Sequence, residues 1–209
     1  MGRKYRFNIE KMNNHITFSS NLILLDVSFL NETVATAKHI LEEKLNRELP
    51  DIDFVNWLVY LALDAGLRGT VHEVQVLLVV DEGIQTLKSF VPFSIQEMDG
   101  KACQTALGEF SFALVPSAGM ASRADLFEEL TRLALAAKEV GCLMLVPDFY
   151  EYSAKVIKSL HDFCKAAEIS NAEKAVCFLM KEPATDLLCR WDFATYSLMH
   201  AWGITSNDW

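Results

Sequence analysis

The stretch NLILLDV at residues 21–27 decides the fold, because it is apolar throughout except for Asp26. An apolar run without polar alternation is typical of a strand that is covered on both faces in a parallel sheet. Three further apolar runs also lead to an acidic residue: VQVLLVVD ends at Asp81, EFSFALVP leads through a short loop to Asp125, and CLMLVPD ends at Asp148. The carboxyl ends of parallel strands meet at one edge of an α/β sheet, where such folds bind their ligands.

Helical patterns alternate with these strands along the chain. Asn31 is expected to cap a helix over about 32–47, and Thr185 to cap a last helix over about 186–202. The other predicted helices cover about 52–66, 123–139 and 149–167, and further strands are predicted at about 73–80, 142–147 and 174–180. We therefore expect a three-layer α/β/α sandwich with a mostly parallel sheet of about five principal strands.

Residues 88–116 do not follow this alternation. SFVPFSIQ and FSFALVP both have strand patterns, and the turn signal Met98-Asp99-Gly100-Lys101 lies between them. This predicts an antiparallel excursion at a sheet edge, which is also where Pro92 can be accommodated. HITFSS at residues 15–20 is a further candidate edge strand. No linker or repeat divides the chain, so a single domain over 1–209 is expected.

Composition excludes several classes of protein. The formal net charge is −9, which argues against a nonspecific duplex binder with a Lys/Arg surface. No apolar stretch approaches the ~18 residues of a membrane span, and the N-terminus lacks the apolar region of a signal peptide. The five cysteines are odd in number and form no CxxC, so we expect reduced thiols in a cytoplasmic protein.

The common cofactor motifs are missing from the sequence. Neither G-x-G-x-x-G nor a Walker A loop occurs, so no nucleotide cofactor is expected, and there is no G-x-S-x-G elbow. The five histidines form no metal-ligand pair, and most lie on predicted helices, where a histidine is expected to be a half-buried packing residue.

The four aspartates that follow the apolar runs are the candidate site. Asp26, Asp81, Asp125 and Asp148 could together bind Mg²⁺ or Mn²⁺, since hard cations prefer oxygen ligands. Each also has a purely structural explanation. Backbone amides could satisfy Asp26, Asp81 could belong to a turn, Asp125 could form a capping box with Ser122, and Asp148 could open a helix. Their joint placement at successive strand ends favours a functional interpretation.

The order of these features resembles the PIN-like superfamily and, within it, the NYN branch of metal-dependent ribonucleases. The resemblance covers about residues 21–200. It rests on Asp26 with Asn31 after the first strand, on Asp125 at a helix start, and on Asp148-Phe149 after a later strand. Near the C-terminus, Trp191-Asp192-Phe193 matches the Asp-Phe that some members carry. The family's Ser-Gly-Asp-x-Asp-Phe cluster is replaced by Val146-Pro147-Asp148-Phe149, which lacks the glycine and one aspartate.

This resemblance implies a metal-dependent phosphodiesterase acting on single-stranded RNA. Asp26, Asp125 and Asp148 would bind one or two Mg²⁺ or Mn²⁺ ions, with Asp81 or Glu182 assisting, and the metal would activate water.

Two alternatives stay open at this point. The first is a catalytically inactive binding or scaffold module that acts through protein–protein contacts. Trp191, Trp202 and Trp209 would then offer a surface for a partner or a homodimer. The second is a phosphoacceptor domain with Asp26 or Asp81 modified near Lys181. The chain length and the missing Ser/Thr after the 142–147 strand count against it.

Overall fold

The central element is a seven-stranded sheet, seen in a computed structural model that describes residues 17–117 and 121–208. The order of its strands across the sheet is β5-β6-β3-β1-β7-β8-β9, and a separate pair is formed by β2 and β4. All neighbours in the large sheet are parallel except β5 and β6. The strands are β1 Asn21–Asp26, β2 Ile52–Asp53, β3 His72–Val80, β4 Phe90–Val91, β5 Ala102–Thr105, β6 Gly108–Pro116, β7 Cys142–Val146, β8 Ala175–Leu179 and β9 Arg190–Phe193.

The chain winds outward from the centre of this sheet in two directions. It runs from β1 through β3 to β6 on one side, and then returns to β7 on the other side of β1 and continues to β9. This is the strand order of doubly wound α/β folds, which have a topological switch point between the first and fourth strands. The switch point here lies between β1 and β7, which are paired in register from Asn21 with Cys142 to Leu25 with Val146.

Helices cover both faces, and each face has its own apolar core. The first core packs α1, α2 and α5 against side chains such as Ile23 and Leu25, and the second packs α3 and α4 against Leu22 and Leu24. Alternate residues of β1 thus enter opposite cores, as the two-residue period of a strand requires. The helices are α1 Val27–Leu45, α2 Phe54–Asp64, α3 Arg123–Ala136, α4 Phe149–Ala167 and α5 Ala194–Ala201. The expected α/β/α sandwich is confirmed, with seven strands rather than about five.

Two helix boundaries differ from the prediction. The first helix begins directly after β1 with Asp26 as its cap, and Asn31 lies inside the helix. The Asn31 side chain instead holds a loop: its amide donates to the Thr86 carbonyl (2.9 Å) and its oxygen accepts from the Lys88 N–H (2.7 Å). The predicted helix 186–202 is wrong in its first half, where β9 pairs with β8 before α5 begins at Ala194.

The excursion at residues 88–116 is confirmed only in part. An antiparallel pair at a sheet edge is present, but the strand that pairs with β6 is β5, which had not been predicted, and not the segment SFVPFSIQ. β6, however, also pairs with β3 in parallel along its whole length and is therefore a principal strand. The segment around Pro92 contributes only the two residues of β4, which lie outside the large sheet. Of the HITFSS segment, residues 15 and 16 lie outside the described part of the chain, and residues 17–20 are not a strand.

Two further findings concern the chain as a whole. Within the residues that the structure describes, no helix is long and apolar enough to cross a bilayer. All five cysteines are free thiols, and Cys164, Cys177 and Cys189 are buried.

Candidate functional site

Asp26 lies at the centre of the carboxyl edge, at the switch point between β1 and β7. The apolar strand β1 delivers it there, and its side chain is completely buried. One of its oxygens accepts the Phe29 N–H at 2.9 Å, which caps α1. The other accepts the Tyr152 hydroxyl at 2.6 Å. Burial raises the pKa of the Asp26 carboxyl above its ordinary value, while these two donors and Arg123 act in the opposite direction.

The charge of Asp26 is compensated by Arg123, the first residue of α3. The Nη1 atom of Arg123 lies 2.6 and 2.7 Å from the two oxygens of Asp26. The arginine is itself largely buried, with 12% of its side chain exposed. Burial alone would lower the pKa of Arg123, but the hydrogen bond and charge of Asp26, together with Asp81 and Glu151, raise it. A buried carboxylate needs such a partner, because an isolated one costs several kcal/mol.

Three more carboxylates surround the same guanidinium. Its Nε atom lies 3.1 Å from Asp81, its Nη1 atom 3.7 Å from Asp148, and its Nη2 atom donates to Glu151. We call these five side chains, Asp26, Asp81, Asp148, Glu151 and Arg123, the Arg123 cluster. Four carboxylates face one cation, so the cluster carries an excess of negative charge. Asp81 and Glu151 are its more exposed members, at 42% and 57% of their side chains.

Helix starts and turns position the outer members of the cluster. Asp148 caps α4 by accepting the N–H groups of Tyr150 (3.1 Å) and Glu151 (3.0 Å). Asp81 follows β3 in a turn and accepts the Ser28 hydroxyl at 2.8 Å. The structural roles proposed for Asp81 and Asp148 are therefore present, and both side chains also face Arg123.

Tyr152 joins the two strand ends at the switch point. Its hydroxyl donates to Asp26 and accepts the backbone N–H of Asp148 at 3.0 Å. The residue is buried and has non-helical dihedral angles within α4 (φ −135°, ψ 34°). Burial first, and then the charge of Asp26, raise the pKa of the Tyr152 phenol, so it stays a neutral donor.

Asp125 is not part of the Arg123 cluster. It forms the expected capping box with Ser122 at the start of α3. Its side chain is exposed and pairs with Lys155 at 2.5 Å. The Lys155 ammonium, followed by the Ser122 hydroxyl and N–H, lowers the pKa of Asp125 to about 2. Glu182 is exposed in the loop after β8, and Lys181 lies 4.4 Å from the centre of the Tyr150 ring.

The arrangement does not fit a divalent cation. The guanidinium of Arg123 already occupies the point where the three aspartates of the cluster converge, so a metal ion would have to displace it. In residues 17–117 and 121–208, no group of three or more His, Cys, Asp or Glu side chains could hold a metal ion. Metal binding by Asp26, Asp81, Asp125 and Asp148 is therefore not supported by this geometry, although three of the four do meet at the predicted edge.

Arg123 and Tyr152 were not among the predicted site residues, which were all carboxylates. The position of Arg123 in the sequence could have indicated it. Arg123 comes after β6 and directly after the Ser122 cap, which places it at the same edge of the sheet as Asp26. Tyr152 gave no comparable signal, because an aromatic residue in the first turns of a helix is usually a core residue.

Comparison with known proteins gives a family without a known function. Neither the curated proteins nor the solved structures contain a match to this chain. The model of a family described as "Family of unknown function (DUF6621)" matches residues 15–209. Because that match spans nearly the whole sequence, the chain belongs to the DUF6621 family.

Proposed function

We propose that this protein is a catalytically inactive binding or scaffold module that acts through protein–protein contacts. The observation that carries the proposal is the position of Arg123 among the carboxylates of Asp26, Asp81 and Asp148. A phosphodiesterase of the PIN/NYN type would need a divalent cation at this point to activate water. Here a side chain of the protein supplies the positive charge, and a guanidinium cannot activate water as a metal does.

Displacement of Arg123 by a metal would be costly. Both oxygens of Asp26 already accept hydrogen bonds from Arg123, Tyr152 and Phe29, and the carboxylate has no exposed surface. A cation entering from solvent would have to break the ion pair and find room for the released arginine. Separating a buried ion pair typically costs about 3–5 kcal/mol, which the metal would have to offset.

Aromatic side chains at edge strand β9 support the protein–protein part of the proposal. Trp191 packs edge-to-face on Phe193 (5.3 Å between ring centres), and Phe193 packs in the same way on Tyr196 (5.6 Å). Tyr196 is 51% exposed. Aromatic residues are enriched in protein interfaces.

Trp202 does not contribute to this surface, since it is buried and donates to the Pro50 carbonyl at 3.1 Å. Trp209 lies outside the described residues.

The proposal is tested by RNA cleavage and by thermal stability in Mn²⁺. We expect no Mn²⁺-dependent cleavage of single-stranded RNA by the wild type. We also expect no rise in melting temperature in millimolar Mn²⁺, because a ligand that binds only the native state must stabilise it, by about 2.7 kcal/mol at a hundredfold excess over Kd. Cleavage that depends on Mn²⁺ and disappears in Asp26→Asn would refute the proposal and restore the ribonuclease hypothesis.

A further inference from the structure

An open groove lies beside the Arg123 cluster, at the carboxyl ends of β3 and β6. Its volume is about 580 Å³. The floor and walls include the apolar side chains of Val80, Ile84, Leu114 and Pro116. It is distinct from the cluster itself: among the described residues, the two share only Asp81.

The charged groups that the described residues contribute to this groove all have the same sign. Asp81, Glu82 and Asp99 contribute carboxylates, Gln85 and Gln96 contribute amides, and no lysine or arginine of residues 17–117 or 121–208 is among the lining residues. This differs from the neighbouring cluster, where Arg123 supplies a cation. The groove thus combines apolar walls with three carboxylates, of which Asp81 is paired with Arg123 of the neighbouring cluster.

Two of the three carboxylates keep capacity for a ligand. Glu82 is exposed and forms no hydrogen bond or ion pair with any other residue in the described part of the chain. Asp81 engages one oxygen with Ser28 and Arg123, but its other oxygen has only the Ser117 hydroxyl, at 3.5 Å. Asp99 has a structural task as well, since it accepts the Leu114 N–H at 3.0 Å.

We propose that this groove is the docking site for a basic segment of a partner protein, and that it accepts lysine or arginine side chains. The apolar walls suit the methylene stems of these side chains, and the carboxylates suit their charged heads. The net charge of −9 steers a basic partner towards the protein and repels RNA and acidic peptides. The inference rests on the proposed function, because it names the chemistry of the partner that a binding module would recognise.

The test is titration of the full chain with a fluorescein-labelled peptide of alternating arginine and serine, followed by fluorescence anisotropy. Glu82→Gln and Asp99→Asn each remove one charge from the groove, and the asparagine oxygen can still accept the Leu114 N–H. The matched control is Glu173→Gln, an exposed acid before the amino end of β8, at the opposite edge of the sheet. We expect each groove variant to weaken binding by about two- to fivefold, and the control to bind like the wild type.

Several results would overturn the docking site. These are no binding of the arginine peptide, or an equal loss in all three variants, which would indicate diffuse attraction to an acidic protein. We expect a peptide in which glutamine replaces arginine to bind much more weakly. Equal binding of the two peptides would mean that the groove does not recognise the positive charge. These results are independent of RNA cleavage, so failure of the docking site and failure of the noncatalytic proposal are distinguishable.

Discussion

Replacement of Arg123 by methionine should destabilise the protein far more than a surface arginine would. Methionine keeps much of the apolar stem of the side chain but removes the charge that compensates Asp26. The Asp26 carboxylate would retain only the Tyr152 hydroxyl and the Phe29 N–H, in a site with no exposed surface. Removing one partner of a buried ion pair typically costs about 3–5 kcal/mol. In a chain of 209 residues, each kcal/mol of lost stability lowers Tm by about 2–4 °C, so we expect Tm to fall by roughly 6–20 °C.

The same helix offers a matched control. Arg132 lies on α3, pairs with Glu129 at 2.5 Å, and is 58% exposed. Exposed ion pairs of this kind contribute at most about 1 kcal/mol, so Arg132→Met should lower Tm by no more than about 4 °C. The measurement is thermal unfolding of both variants, followed by circular dichroism. The double variant Arg123→Met with Asp26→Asn should recover part of the loss, because it no longer leaves a charge unpaired.

Equal, small effects of Arg123→Met and Arg132→Met would refute the reasoning, since they would mean that Arg123 does not compensate a buried charge. An effect of Arg123→Met that Asp26→Asn does not reduce would also contradict it. A large Mn²⁺-dependent rise in the Tm of Arg123→Met, absent from the wild type, would agree with the geometry. It would mean that the carboxylates accept a metal once the guanidinium is removed.

Two further predictions follow from the same contacts. Tyr152→Phe should lower the free energy of unfolding, measured in urea, by about 1–3 kcal/mol. It removes the hydroxyl that donates to Asp26 and that accepts the buried N–H of Asp148. The control Tyr150→Phe should be nearly neutral, because Tyr150 is 55% exposed. The Asp125 carboxyl should titrate in NMR with a pKa of about 2, and Lys155→Met should move that pKa towards the ordinary 3.8. Because the pKa of Asp125 is lower in the folded state, its contribution to stability should be complete above about pH 4 and lost as the pH falls towards 2. A pKa of Asp125 that does not respond to Lys155→Met would contradict this.

Much of the fold was predictable because the decisive segments are strongly apolar and regularly spaced. β1, β7 and α4 were predicted to within a residue or two, since unbroken buried runs and a capped amphipathic helix leave little ambiguity. β9 was missed because its four residues fit the helical stripe that continues into α5. A short edge strand is defined by its pairing with β8, which is a contact between distant residues rather than a local pattern.

The candidate site was predictable only in its location. Parallel strands place the residues after them at one edge, and Asp26, Asp81 and Asp148 are indeed there, in contact with one cation. The identity of that cation was not predictable from periodicity, because Arg123 comes from the start of a helix after a loop. Asp125 is the opposite case, because it was predicted at this edge but does not belong to the Arg123 cluster. Its capping box with Ser122 and its ion pair with Lys155 hold its side chain outside the cluster.

The positions of Asp26 and Asp148 as helix caps have a consequence for what this edge can bind. The N-terminus of a helix carries a partial positive charge and free N–H groups, and in doubly wound folds the helices at the switch point use these to hold phosphates. In this chain the starts of α1 and α4 are already filled by the protein's own carboxylates. The two anion sites that the fold would otherwise provide are thus internally neutralised. At the starts of α1 and α4, the chain's own carboxylates thus occupy the positions that other doubly wound proteins offer to phosphates.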